Sequence, residues 1–251
     1  MPDFIQITII FLVSVFAGAY GSLAGGPSLV TIPTLIFYNV SPLVAIASNR
    51  MGLLGLTSSS WYKFHEMKKI NYRLGFVLLA PLVIGSFIGV EFVLNAEEGT
   101  IEKIIAFFTL LLLAIFIIKP NMGMKELEKK FSKRHYVIGI ILAFFAGIYG
   151  GFYGAGIGTF ISYILIILFG QTFIQSAATN KMPIFFINLL TSIVFIISGV
   201  VVFWIAAVIF AGSFIGGWIG TAYSEKLGNE YIRWIFIAIV AIMALKLLLN
   251  S

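Results

Sequence analysis

FAGIYGGFYGAGIGT, residues 145–159, opens as an apolar helix and then runs into glycines at which a helix fails. FAGAYGSLAGGPSLV, residues 16–30, reads the same way. Two more echoes follow in the same order. Ala47-Ser48-Asn49-Arg50-Met51 corresponds to Ala178-Thr179-Asn180-Lys181-Met182, and Gly85-Ser86-Phe87-Ile88-Gly89 corresponds to Gly212-Ser213-Phe214-Ile215-Gly216. Phe16 to Phe145 is 129 positions, Ala47 to Ala178 is 131, and Gly85 to Gly212 is 127. Three echoes in one order, at nearly one offset, predict a duplicated chain.

The surroundings of these stretches set the solvent. The 251 residues are 60% hydrophobic and 10% charged, with a mean hydropathy of +1.07. Soluble domains carry about 25% charged residues, and several apolar runs here reach the roughly 20 residues that cross a bilayer as helix. The expected fold is therefore an all-α polytopic membrane protein in the lipid bilayer. The absence of cysteine excludes disulfides, zinc-thiolate sites and thiol catalysis. The net charge of +6 does not point to nucleic acid, because ten of the sixteen Lys and Arg fall in two short loops, as they do in cytoplasmic loops of membrane proteins. Met1-Pro2-Asp3 lacks the basic start of a signal peptide.

Five helical segments are expected per half. In the first they cover 5–23, a short 27–38, 43–64, 74–94 and 101–118. In the second they cover 136–153, a short segment ending at 169, 173–197, 201–223 and 231–249. Residues 1–119 form one repeat, 120–135 a basic linker and 136–251 the other repeat. The loops at 63–73 and 119–135 are basic and belong in the cytoplasm, whereas the turn Asn95-Ala96-Glu97-Glu98-Gly99 is acidic and faces out. The equivalent of the basic loop at 63–73 is Ser198-Gly199-Val200, which has no charge. That contrast predicts a second repeat inverted relative to the first, with both termini outside the cytoplasm, the plan of many secondary transporters. The short segments, about 12 residues or roughly 18 Å long, fit a re-entrant hairpin. The long helices before them fit two full spans, so both versions stay open.

Only Arg50, Glu91 and Lys181 are charged and well inside apolar segments. An ion at that depth costs about 2.5–3.5 kcal/mol on insertion scales and needs a reason. Arg50 and Lys181 occupy matching depths of equivalent helices, with no carboxylate in sequence beside them. Two such cations predict that the anion is the cargo. The alternative is that they snorkel or bond carbonyls freed by the glycine breaks. Asn49 and Asn180 add amide donors, and Ser48 and Thr179 add hydroxyls. A new helix at Pro27-Ser28, or after Gly154 and Gly156, would offer amides and a positive dipole end to an anion. Gly25 and Gly26 permit close approach of backbone and ligand. Tyr20 and Tyr149 border the breaks, either contacting cargo or capping a helix end. For Gly85 and Gly89, helix packing is the expected role. Glu91, near a helix end, is expected at the interface, and Gln171 and Gln175 in a loop. No Ser-His-Asp or metal-ligand constellation is present, so no enzyme, metal or cofactor is expected.

At these residues the chain resembles the TauE/SafE family of sulfite exporters and related permeases. The resemblance rests on the glycine breaks in both halves, the paired Asn-Arg and Asn-Lys helices and the basic central linker, and spans essentially the whole chain. It implies export or uptake of a small sulfur-containing anion, such as sulfite or a sulfonate, in a prokaryotic plasma membrane; a homodimer is compatible with it. The rival functions are an anion channel on the same repeat and a structural membrane subunit without cargo.

Overall fold

The computed structural model describes residues 3–23, 25–97, 99–101, 131–224 and 226. The expected spans at 101–118 and 231–249 and most of the linker lie outside the described residues. Ten helices are described: α1 (Phe4–Gly21), α2 (Ser28–Phe37), α3 (Pro42–Gly52), α4 (Leu54–Glu66), α5 (Tyr72–Asn95), α6 (Lys133–Phe152), α7 (Ile157–Phe169), α8 (Phe173–Thr179), α9 (Lys181–Ile197) and α10 (Phe203–Ala222). Among the described residues, five helical stretches are long and apolar enough to cross a membrane: α1, α5, α6, α10 and the continuous run Phe173–Ile197. The chain is a multi-pass membrane protein. The two short apolar helices, α2 and α7, span about 15 and 20 Å at 1.5 Å per residue, less than the hydrocarbon thickness.

Local chemistry sets the boundaries. Ser41-Pro42 starts α3 with proline in its first turn. The Asn71 side chain accepts from the Leu74 amide at 3.1 Å to cap α5. Gly170, left-handed at φ +60°, ends α7 with its amide donating to the Ile166 carbonyl. Thr172 and Gln175 then exchange side-chain and backbone bonds of 3.2 and 3.0 Å to start α8. Three segments differ from expectation. The linker ends earlier than residue 135, because Ser132 and His135 form a capping box that draws Lys133, Arg134 and His135 into α6. The stretch 43–64 is stepped at Leu53 between α3 and α4, and 173–197 is stepped at Asn180 between α8 and α9. At the second step Pro183 has no amide to offer the Thr179 carbonyl, which weakens the ladder there.

Two seams of small residues hold the outer helices. A Cβ added to Gly212 would meet the Phe11 carbonyl and Ser14, one on Gly216 the Val15 carbonyl, and one on Gly220 the Ala19 carbonyl, so α10 lies directly on α1. In the same way Gly85 meets Phe144, Gly89 meets Ile148, and Gly147 and Gly151 meet Leu82 and Ser86, which joins α5 to α6. Residue numbers rise together along each seam, so the helices of each pair run parallel. The role expected for Gly85 and Gly89 is the one found, close helix contact. α4 also runs parallel to α10, with Gly55 against Phe210 and Ser60 against Gly217. The outer faces of these helices carry exposed Ile9, Leu12, Phe87, Ile88, Ile141 and Phe214, the arrangement for a hydrocarbon solvent. Glu91 is exposed near the end of α5 and accepts from the Asn95 amide at 3.0 Å.

Gly89→Ala should lower stability by about 1–3 kcal/mol, because the added methyl group meets the Ile148 backbone. Gly99→Ala, where a Cβ meets nothing within 4 Å, should stay within about 0.5 kcal/mol of the parent. Thermal unfolding in detergent compares them.

Candidate functional site

The two breaks are built alike. Gly25 and Gly154 take left-handed φ of +78° and +73°, and Gly26 and Gly156 are left-handed as well, which turns the chain from a long helix into a short one within a few residues. Tyr20 closes the first break by donating its hydroxyl to the Gly26 carbonyl at 2.9 Å. Tyr149, 129 positions on, closes the second by donating to the Ala155 carbonyl. These tyrosines tie loops, as helix-end caps do. The leading amides of the short helices turn back on the breaks. Leu29 and Val30 donate to the Gly26 and Pro27 carbonyls, and Ile157 and Thr159 donate to those of Gly154 and Gly156. The breaks also meet each other: a Cβ on Gly25 would stand 2.8 Å from Thr159 Oγ1 and 2.9 Å from its amide nitrogen. Nothing larger than glycine lets the backbones approach so closely.

The asparagines pin the short helices in place. Asn49 Nδ2 donates to Ser28 Oγ at 3.0 Å, and Thr31 Oγ1 donates to Asn49 Oδ1 at 2.6 Å. Asn180 Nδ2 donates to the Gly158 carbonyl at 3.0 Å and to Ser162 Oγ at 2.8 Å. Both asparagines are 2% exposed. Thr31 and Ser162, 131 positions apart like the asparagines, went unnoticed in the sequence. The available signal was a hydroxyl three residues after Ser28 and Thr159 in each apolar short helix.

The cations cross from half to half. Arg50, on α3, lies over Gly154, and its Nη2 donates to the Gly151 carbonyl near the end of α6 at 3.4 Å. Lys181, on α9, donates to the Gly21 carbonyl at the end of α1 at 3.3 Å. Arg50 and Lys181 are 4% and 3% exposed. Each therefore sits at the negative end of the first long helix of the opposite half, where carbonyls lack intrahelical partners. Among the described residues, the one ion pair joins Lys63 to Glu66 at the end of α4, away from both cations.

Ser48 and Thr179 do something else. Ser48 Oγ accepts from the Val202 amide at 2.9 Å, and Thr179 Oγ1 accepts from the Asn71 amide at 3.1 Å. Each caps the start of the fifth helix of the other half, α10 or α5. Thr179 also accepts from Gln171 Nε2 at 3.2 Å; Gln171 lies in the loop between α7 and α8, as expected, and is buried there. Gln175 caps α8. The structure thus brings Gly25, Gly26, Ser28, Asn49, Arg50, Gly154, Gly156, Asn180 and Lys181 around the contact between the two breaks, with Tyr20 and Tyr149 supporting the loops. Ser48 and Thr179 bond elsewhere.

Residues 10–247 match the family described as Sulfite exporter TauE/SafE. A probable membrane transporter protein of Haemophilus influenzae is 26% identical over 98% of this chain and 95% of its own length. The probable membrane transporter protein YfcA of Escherichia coli K12 is 26% identical over 97% of this chain and 90% of its own. The probable membrane transporter protein YunE of Bacillus subtilis is 24% identical over 97% of both. No solved structure matches the chain.

Tyr20→Phe and Tyr149→Phe should each cost about 0.5–1.5 kcal/mol of stability, the net worth of one loop-closing hydrogen bond. Tyr62→Phe, at a half-exposed position on α4, should leave unfolding unchanged.

Proposed function

The chain belongs to the sulfite exporter TauE/SafE family, a family of membrane transporters, and we propose that it carries a small sulfur-containing oxyanion, such as sulfite or an organosulfonate, by alternating access. The observation that carries this is the pair of buried cations, Arg50 and Lys181, which donate to backbone carbonyls and have no carboxylate partner among the described residues. An anion between them would be neutralised by both and oriented by Asn49, Asn180 and the break backbones.

In this proposal the repeats are inverted. The register of α4 along α10 supports it. α4 and α10 run parallel. α5 returns from α4 through a tight turn, where Trp61 Nε1 donates to the Tyr72 hydroxyl at 3.3 Å. Equivalent helices α5 and α10 therefore run in opposite directions. With the basic loop at 63–73 in the cytoplasm, α5 runs outward and α10 inward, and the termini are extracytoplasmic in the plasma membrane. Export of an anion is then assisted by an inside-negative potential at about 2.3 kcal/mol per charge per 100 mV.

The crossed bonds supply the coupling. Arg50 holds α3 to α6, and Lys181 holds α9 to α1. Charge-assisted hydrogen bonds to an oxyanion are roughly twice as strong as those between neutral groups. The entering anion draws both cations off the carbonyls, and the same event that fills the site unties the two sides.

Sulfite at about 100 times its dissociation constant should stabilise the purified protein by about 2.7 kcal/mol. Arg50→Gln and Lys181→Gln should each abolish that shift; a shift kept by both variants refutes the site. The coupling is read without any ligand. The chain has no cysteine, so Ala155→Cys, buried in the second break, is a single reporter. Arg50→Gln should speed its reaction with a polar maleimide, and an unchanged rate refutes the tie.

A further inference from the structure

The two halves repeat their main tying bonds. Tyr20 and Tyr149 tie equivalent carbonyls, Ser48 and Thr179 accept from equivalent amides, and Arg50 and Lys181 reach equivalent helix ends. At the asparagines the match breaks. Asn49 is satisfied at both ends, with Thr31 donating to its oxygen. Asn180 spends its nitrogen on both Gly158 and Ser162, and its Oδ1 is buried without a hydrogen-bond partner. The orientation of this amide is fixed by chemistry. The Gly158 carbonyl is only an acceptor, so the atom 3.0 Å from it is the nitrogen. Ser162, which stands where the first half has Thr31, lies on the nitrogen side and gives nothing to the oxygen.

A buried acceptor without a donor is rare in native proteins and calls for a partner. This one belongs to the residue that precedes Lys181 and lies at the contact between the breaks. A Cβ on Gly158 would be 3.5 Å from Gly25 Cα and 3.8 Å from Asn180 Nδ2. Arg50, Lys181 and Asn49 supply donors; Asn180 Oδ1 supplies the opposite character. Resting on the anion reading above, we propose that Asn180 Oδ1 accepts a hydrogen bond from an acidic proton on the cargo, so that the site selects the singly protonated oxyanion over the same anion fully deprotonated. A site that bonds a substrate hydrogen discriminates strongly against an analogue without it, because the acceptor is then left unpaired in a dry place. Asn180 is thus the specificity residue of the second half, and Asn49, already saturated, is not its functional twin.

The test measures dissociation constants of sulfite and methanesulfonate by calorimetry, over a pH series that brackets loss of the second sulfite proton. Methanesulfonate has no acidic proton in this range. It meets the same buried charges, Arg50 and Lys181, and the same break phenols, Tyr20 and Tyr149, so it reports any titration of the protein itself. The sulfite constant should rise about tenfold per pH unit above that point, because the competent form thins out by that factor, while the methanesulfonate constant does not follow. Asn180→Ala removes the acceptor and should flatten the difference, while methanesulfonate binding reports that the variant's site is intact. Parallel pH curves for the two anions overturn the assignment while leaving an anion site standing. A difference that survives Asn180→Ala unchanged takes the role away from Asn180. Failure of both anions to bind at any pH overturns the anion reading and this one with it.

Discussion

Two hydrogen bonds from buried cations to helix-end carbonyls govern this structure. A guanidinium or an ammonium inside a bilayer must find acceptors or stay near water. Here the acceptors are the last carbonyls of long helices stopped short by glycine. The break brings a helix-end carbonyl within reach of the cation, and at Gly21 that carbonyl takes the Gly25 amide at 3.2 Å as well as Lys181. Neither feature is tolerable alone: a broken helix end in hydrocarbon leaves polar backbone unpaired, and a lone cation there has no counterpart. Because each cation comes from the other half, satisfying both requirements also stitches the halves together.

The rest of the interior supports that exchange. Asn49 and Asn180 hold the short helices against the helices that carry the cations, and the tyrosines keep the breaks closed. The hydroxyls of Ser48 and Thr179 anchor the starts of α10 and α5 on the opposite half. The interior is sparsely polar, with Asn180 Oδ1 among the few buried atoms left unpaired, and the surrounding surface is left to Ile, Leu and Phe. A site assembled from backbone and amides is well suited to a ligand whose charge the protein itself does not balance.

Much of the fold was legible because its signals are one-dimensional. Apolar run length identified the spans, and the echo of FAGxYG, Asn-Arg with Asn-Lys, and GSFIG marked positions whose contacts recur in the structure. Arg50 and Lys181 stood out because charge is rare in such segments. What could not be read was direction. Nothing in Ser48 or Thr179 distinguishes a hydroxyl facing cargo from one capping a helix 154 or 108 positions away. Gln171 follows a glycine and looks like a loop residue, yet tertiary packing buries it against Thr179. Thr31 and Ser162 were invisible for a similar reason: a hydroxyl in a short apolar helix most often bonds its own backbone, and only the fold brings the asparagines to them. The start of α6 moved because a Ser-x-x-His cap substitutes for the usual Ser-x-x-Glu pattern.

The glycine seams have a mechanical meaning. α1 lies on α10 and α5 on α6 with backbone nearly touching backbone, and no intervening side chain can change rotamer and let them slip. Each inseparable pair takes one helix from before the central linker and one from after it. The rigid bodies of this protein therefore mix the two ends of the chain. Cutting the chain in the central linker would yield two fragments, each carrying two unclosed glycine faces, and the two fragments would have to interlace before either could hold a shape. The packed units of this fold do not coincide with its segments in sequence.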